Sequence, residues 1–155
     1  MAVTTETGFE KKRGISRVEI REGYSQVHVR DLAEPVMDSR LGVLKVVKNE
    51  GVSLDFLKLT TDGLSFLIPK EATDRIDSCL RGAGYAFDLG RDRSIVLVHA
   101  VNIRDEEGLI ARLVAIAIGS GAKLDHLGDM HDRLLIVAEA ADARALADRL
   151  RGAFA

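Results

Sequence analysis

Apolar and polar positions change their period along the chain, and each change marks an element. "ISRVEIR" (15–21) alternates, Glu22-Gly23 reads as a tight turn, and "YSQVHVRDL" (24–32) alternates again: strand, hairpin, strand. "AEPVMDS" (33–39) reads as a loop, because Pro35 cannot donate a ladder hydrogen bond and Asp38 or Ser39 is placed to cap a helix. From Arg40 to Glu50 the apolar residues fall at 43, 44, 46 and 47, one face of a helix that Gly51 stops. "VSLDFLKL" (52–59) returns to strand alternation, "TTDG" turns it, and "LSFLI" (64–68) runs back. Pro69 opens a second helix through residue 82, apolar at 72, 76, 79, 80 and 83. "YAFDL" (85–89) is a strand, "GRDR" a turn and "SIVLVHAV" (94–101) another strand. A helix (106–119), two strands (122–128 and 133–138) and a helix (140–152) follow, the last with Ala143, Leu146, Ala147, Leu150 and Phe154 on one stripe.

This order of elements occurs twice. "SLDFL" (53–57) matches "KLDHL" (123–127) at an offset of 70, and the match runs on without a gap. Asp62 meets Asp132, Leu64 meets Leu134, Ile76 meets Leu146, and "LRGA" occupies both 80–83 and 150–153. Upstream, Gly51 meets Gly121, Gly42 meets Gly108, "VHV" (27–29) meets "VLV" (96–98), and "VEI" (18–20) meets "FDL" (87–89). The chain reads as a tandem duplication. Its first copy, 24–90, has the order β-α-β-β-α-β, a ferredoxin-like plait with a four-stranded antiparallel sheet and both helices on one face. The second copy, 91–155, lacks a fourth strand and would leave a bare sheet edge. The spare strand at 14–22 is the donor that would complete it, and residues 1–12 read as a flexible tail. The expected fold class is α+β, two such modules with the N-terminal strand completing the C-terminal one.

Composition narrows the function. With 46% hydrophobic and 30% charged residues the chain is an ordinary globular protein, and units of about 70 residues would share a core or dimerise. Net charge is −2 with scattered Lys and Arg, so no electrostatic footprint for nucleic acid is present. The longest apolar run, "LVAIAI" (113–118), is too short to span a membrane. No leader pattern is evident and Cys79 stands alone, so a reducing cytoplasmic setting is expected. "IVLVHAV" (95–101) and "LLIVA" (134–138) are apolar on both faces, so residues 95, 97, 135 and 137 need cover beyond their own helices. Stacking of the chain's own sheets or a second chain would supply it, and a homodimer is expected.

The stretches "GISRVEIREGYSQVHV", "RLGVLKVVKNEGVSLDFLKL" and "GLSFLIPKEATDRI", in this layout, resemble the regulatory region of aspartate kinases, built of tandem ACT domains. The resemblance covers about residues 14–155 and includes no kinase domain, so it is to the regulatory small subunit. It implies a non-catalytic protein that senses an amino-acid effector at module interfaces and modulates a catalytic enzyme partner. Where that family commonly has proline before the loop glycine, Leu41 precedes Gly42 and Glu107 precedes Gly108. A second reading follows from this departure, an assembly module whose effector pocket is lost.

An amino-acid effector needs N–H groups for its carboxylate and acceptors for its ammonium. The loop and helix start supply Asp38, Ser39, Arg40, Gly42 and Val43, where amides at the positive end of a helix favour an anion. Asn102, Arg104, Asp105 and Gly108 occupy the equivalent place in the second copy. Asp38, Ser39 and Asp105 would serve equally as helix caps. Asp55 and Asp125, on the second strands, could accept an ammonium, face solvent, or pair with Lys58 or Lys123. His126, Asp129, His131 and Asp132 read as a solvated turn rather than a metal site. His28 and His99 stand isolated on first strands, and no Ser-His-Asp order, Walker loop, CxxC or dinucleotide glycine pattern occurs. No enzyme activity, metal or cofactor is expected.

Overall fold

The alternation that reads as a hairpin at Glu22-Gly23 forms one long strand. In the computed structural model, which describes residues 14–101, 108–130 and 132–153, β1 (Gly14–Arg30) runs unbroken through Gly23 at φ 89°. A left-handed glycine suits the inside of a strand as well as a turn, and local pattern does not separate the two. "GRDR" behaves likewise: β4 (Ala86–Val101) continues through it, with Asp92 at φ 54°. The remaining strands are β2 (Asp55–Leu59), β3 (Leu64–Pro69), β5 (Leu124–Met130) and β6 (Arg133–Glu139). The helices are α1 (Val36–Asn49), α2 (Thr73–Gly82), α3 (Leu109–Gly119) and α4 (Ala140–Ala153). The described residues form an α+β protein of six strands and four helices, with a 3-10 turn at Lys70–Ala72.

Helix α1 starts four residues before the expected Arg40. Pro35, at φ −73° and ψ 127°, precedes the first helical residue and, as the N-cap, makes no side-chain cap bond. Proline at a helix start costs no hydrogen bond and points the chain into the helix. Asp38 and Ser39 therefore lie inside the first turn and are not its N-cap. At the other end Gly51, at φ 69°, is the expected stop. Pro69 ends β3 rather than opening a helix, and the 3-10 turn intervenes before α2. The tail at 1–12 and the first residues expected for the helix at 106–119 lie outside the described residues.

Hydrogen-bonded strand neighbours follow the order β2-β3-β1-β4-β6-β5. The chain divides into two compact units: Gly23–Arg93, and the described residues of Met1–Glu22 with Ser94–Ala155. Both boundaries fall inside β1 and β4, so each of these strands gives one half to each unit.

In Gly23–Arg93 the order is β2-β3-β1-β4, with β1 antiparallel to β3 from Tyr24↔Pro69 to Val29↔Leu64. Val27 and Val29 from β1 and Leu64, Phe66 and Ile68 from β3 alternate toward Val43 and Val47 of α1 and Ile76 and Leu80 of α2. Both helices thus cover one face. Inside, the Thr73 hydroxyl donates to the Lys70 carbonyl at 2.6 Å and accepts from Ser25 at 2.6 Å, which seats the start of α2 on β1. The tightest point is Gly63: a Cβ there would lie 1.8 Å from the Val29 carbonyl oxygen.

In the other unit the order is β1-β4-β6-β5, with β5 antiparallel to β6. Val18, Val96, Val98, Leu134 and Ile136 meet Leu109 and Leu113 of α3 and Leu146 and Leu150 of α4 in one core. The Arg151 guanidinium donates to the Val18 carbonyl at 2.8 Å, tying α4 to the first half of β1. Ile95, Leu97, Leu135 and Val137, at 4, 2, 7 and 0% exposure, are already buried within the single chain. The apolar second face therefore does not call for a second chain. Among the described residues no helix is long and apolar enough to cross a membrane.

Gly63→Ala should destabilise the protein by about 2–3 kcal/mol, the scale of forced overpacking, as measured by urea unfolding. Deleting residues 1–22 removes Val18 from its core and the Arg151 contact. Amide exchange should then quicken across 94–153 far more than across 24–90, and equal quickening of both units would contradict it.

Candidate functional site

Loop 31–35 and the first turns of α1 are held to the β2–β3 turn by a set of polar contacts. Asp62 gives the loop two acceptors. Its carboxylate takes the Asp31 backbone N–H at 3.0 Å, and its carbonyl takes that of Leu32 at 2.9 Å. The Asp31 N–H, foremost among several causes, holds the Asp62 carboxyl below the ordinary aspartate range. The Glu34 carboxylate accepts the N–H of Val36 at 3.3 Å, satisfying one of the free amides at the start of α1. Ser39 donates its hydroxyl to the Ala33 carbonyl at 2.6 Å and so closes the loop rather than capping the helix.

Arg40 is committed within the fold. Its guanidinium donates to the Gly63 carbonyl at 2.8 Å, to that of Thr61 at 3.5 Å and, more closely still, to that of Thr60. Gly42 leaves room for Tyr85, whose hydroxyl would lie 3.0 Å from a Cβ at that position. Val43 is fully buried in the core. Four of the five residues named for the first loop, Ser39, Arg40, Gly42 and Val43, thus serve packing and the closure of loop and turn. Asp38, exposed in the first turn, adds negative charge where the helix end favours it.

Asp55 does not join this group. It begins β2, whereas Arg40 reaches the turn beyond Leu59, so the two are separated by roughly 13 Å of strand at about 3.3 Å per residue. Asp55 is exposed, opposite Leu67, and the register slips before Lys58 meets Ser65, with Phe56 at φ 49°. In β5 the register slips between Leu124 and His126, with half-buried Asp125 as the extra residue. Both aspartates of the repeated pentapeptide therefore sit at irregularities of edge strands. Such bulges blunt an edge that would otherwise pair with any free strand.

In the unit containing the C-terminus, Gly108 precedes α3 in the left-handed region at φ 77°, with no side-chain cap bond. Asn102, Arg104 and Asp105 lie outside the described residues, as does His131. His126 is half-buried in β5 and Asp129 is exposed, and among the described residues no three His, Cys, Asp or Glu side chains are grouped to hold a metal ion.

Sequence reasoning missed one cluster. His99, isolated along the chain, meets Glu19 across the sheet, its Nε2 3.1 Å from the carboxylate. Glu19 also accepts from Arg21 at 2.9 Å and lies 3.5 Å from Arg17. The bonds from Arg21 and then His99 hold the Glu19 carboxyl below its usual range. Only strand pairing brings residues 80 apart together, so no local signal announced it. Asp62 did leave a signal, its alignment with Asp132, whose carbonyl accepts the Ala100 N–H at 3.0 Å.

No protein-family model and no curated protein matches the sequence. Solved structures do match in fold. The regulatory subunit of aspartate kinase from Thermus thermophilus, in its ligand-free form, superposes with a TM-score of 0.79 at 15% identity, over 92% of this chain and 99% of that one. Clostridium acetobutylicum aspartate kinase gives 0.77 at 13% identity, over 93% of this chain and 36% of the enzyme. E. coli aspartokinase III in complex with lysine and aspartate gives 0.69 at 10% identity, over 90% of this chain and 33% of the enzyme. The chain thus resembles the regulatory parts of aspartate kinases.

Asp62→Asn should destabilise the protein at neutral pH and progressively less in acid. A carboxyl depressed in the folded state stabilises above its unfolded value of about 3.9, and that stability is lost as pH falls through the folded value. Denaturation of both proteins from pH 7 to pH 2 checks this: the gap should close, and a pH-independent gap would show that the carboxylate charge is immaterial.

Proposed function

We propose that the chain is a non-catalytic regulatory protein built of two ACT modules, which senses an amino acid and modulates a partner enzyme of amino-acid metabolism. The observation that carries this reading is the fold likeness to an aspartate kinase regulatory subunit, which extends over 92% of this chain and 99% of that one. Each unit also has the strand order of a ferredoxin-like plait, with its second strand at an edge and both helices on one face. The neighbour crystallised with lysine and aspartate makes an amino acid the effector class to test first. An effector that prefers one arrangement of modules would shift the population and pass the change to the partner.

Amides at the start of α1, with Asp38 beside them, are the first place for such an effector, and Asp55 and Asp125 the second. Asn102, Arg104, Asp105 and Gly108 form the corresponding candidate set in the other unit. The modules are proposed to associate as homodimers through their edges. In support, Met37 and Leu41 of α1 and Leu57 and Leu59 of β2 are 56, 61, 46 and 55% exposed, an unusual density of exposed apolar side chains for one helix and one edge strand. No buried face demands that dimer, so these residues carry the argument for it.

A second reading, an assembly module without an effector, is favoured by the internal use of Arg40, Gly42 and Val43. The two readings separate in a melting screen with the twenty amino acids. An effector present at about 100 times its Kd should stabilise by about 2.7 kcal/mol. The joint substitution Asp38→Ala and Ser39→Ala should weaken that response more than it lowers the basal Tm. Silence across the whole panel would leave the assembly reading. Sedimentation tests the dimer: wild type should run at twice the 16.9 kDa chain mass, and Leu57→Asp with Leu59→Asp should give a folded monomer. A monomeric wild type at micromolar concentration would remove the dimer.

A further inference from the structure

Within the Gly23–Arg93 unit, side chains rather than ladder bonds tie the candidate effector loop to the edge strand. β2 stands at the end of the strand order, so β3 is its one neighbour, and their register slips between Asp55 and Lys58. Beyond the slip the regular partners are Lys58↔Ser65 and Leu59↔Leu64. Thr60 follows directly, and the carbonyls of Thr60, Thr61 and Gly63 all accept from the Arg40 guanidinium of α1. The same turn holds the loop through Asp62, which takes the Asp31 N–H on its carboxylate and the Leu32 N–H on its carbonyl.

Two residues thus span one junction in opposite directions. Arg40 reaches from helix to turn with donors, and Asp62 reaches from turn to loop with acceptors. A guanidinium presents five N–H groups in a rigid planar fork, so carbonyls gathered on one fork move with the helix that carries it. Exposed apolar side chains flank both ends of this tie. Met37 and Leu41 lie one helical turn apart beside Arg40, and Leu57 and Leu59 lie on β2 just before Thr60.

The second copy of the repeat lacks these parts. Aligning Gly108 with Gly42 puts Glu106 at the place of Arg40, and aligning Asp132 with Asp62 puts Arg133 at that of Gly63. A glutamate carboxylate has no proton to give a carbonyl. Arg133 instead pairs with Asp132 beside it, at 3.0 Å.

We propose that Arg40 is the coupling residue of the first module, joining the loop, the start of α1 and the end of β2 into one cooperative element. The inference rests on the reading of the chain as an effector sensor and says how the first module passes its signal on. A ligand that shifts the first turns of α1 carries the fork with it, and the fork carries the turn that ends β2. A partner that grips Leu57 and Leu59 acts back on the loop with the same coupling free energy. Arg40 touches no ligand in this scheme, and its part is positioning.

Native-state amide exchange on the full chain, with no ligand added, tests this. In wild type the Ser39 amide, bonded to Pro35, and the Thr60 amide, bonded to Gly63, should open together and converge on one exchange isotherm as urea is raised. In Arg40→Met the two should part, Thr60 exchanging about tenfold faster relative to Ser39, the scale of a lost bond to a charged group. General destabilisation would quicken both and leave them together, so parting reports the coupling itself. Separate opening in wild type overturns the proposal, and so does joint opening that survives in the folded variant. Should Arg40→Met not fold, Arg40→Lys, which keeps the charge and loses the fork, decides in the same way. Silence of the amino-acid panel would remove the effector and leave this result standing, whereas separate opening in wild type would remove the coupling and leave the effector.

Discussion

The constraint on which the Gly23–Arg93 unit depends is the approach of Gly63 to the carbonyl oxygen of Val29. Any side chain there would sit 1.8 Å from that oxygen, so the β2–β3 turn closes against the end of β1 only because Gly63 has none. That closeness brings Asp62 within reach of the amides of Asp31 and Leu32, and brings three turn carbonyls within reach of Arg40. Arg40 in turn fixes where α1 begins, and α1 places Val43 and Val47 over β1 and β3. The other unit solves the same junction without a glycine: Arg133 stands at the equivalent position, paired with Asp132, and the Asp132 carbonyl still accepts a backbone N–H from the neighbouring strand.

This network gives the candidate loop a structural task that competes with ligand binding. A guanidinium spent on backbone carbonyls is unavailable to an effector carboxylate, and a glycine filled by a tyrosine hydroxyl leaves little space for one. Asp38 stays exposed beside this network, while the Val36 and Ser39 amides of the first turn already have acceptors in the Glu34 carboxylate and the Pro35 carbonyl. The edge-strand aspartates are a different kind of feature. Their bulges re-aim the strand and interrupt its ladder, which protects an edge from indiscriminate pairing while leaving it open to a partner of matching shape.

Two faces of each sheet carry different chemistry. The helix-covered faces are mainly apolar among their buried strand residues, with Ser25 and its bond to Thr73 a polar exception. The opposite faces mix buried apolar residues, such as Leu67, Leu97 and Val137, with polar ones, such as Ser65 and Gln26 in one unit and the Glu19–His99 contact in the other. Apolar burial is non-directional, whereas the Glu19–His99 contact exists only in one register.

Along the chain, hydrophobic period alone determined the helices, most of the strands, the α+β class and the repeated order, because period reports directly on which face of an element is buried. The glycine and proline positions determined where helix α1 stops and where β3 ends. The tertiary structure decided the rest. Whether Gly23 and the "GRDR" segment turn the chain or let a strand continue depends on what lies beside the next residues, not on the residues themselves. Whether Arg40 and Gly42 serve a ligand or the fold depends on the β2–β3 turn and on Tyr85, which are 20 and 43 residues away in sequence. His99 found Glu19 only through the pairing of two strands 80 residues apart. Local sequence encodes the conformational preference and the burial of each element. Polar partners are chosen by distance in space, and that distance exists only once the strands have paired.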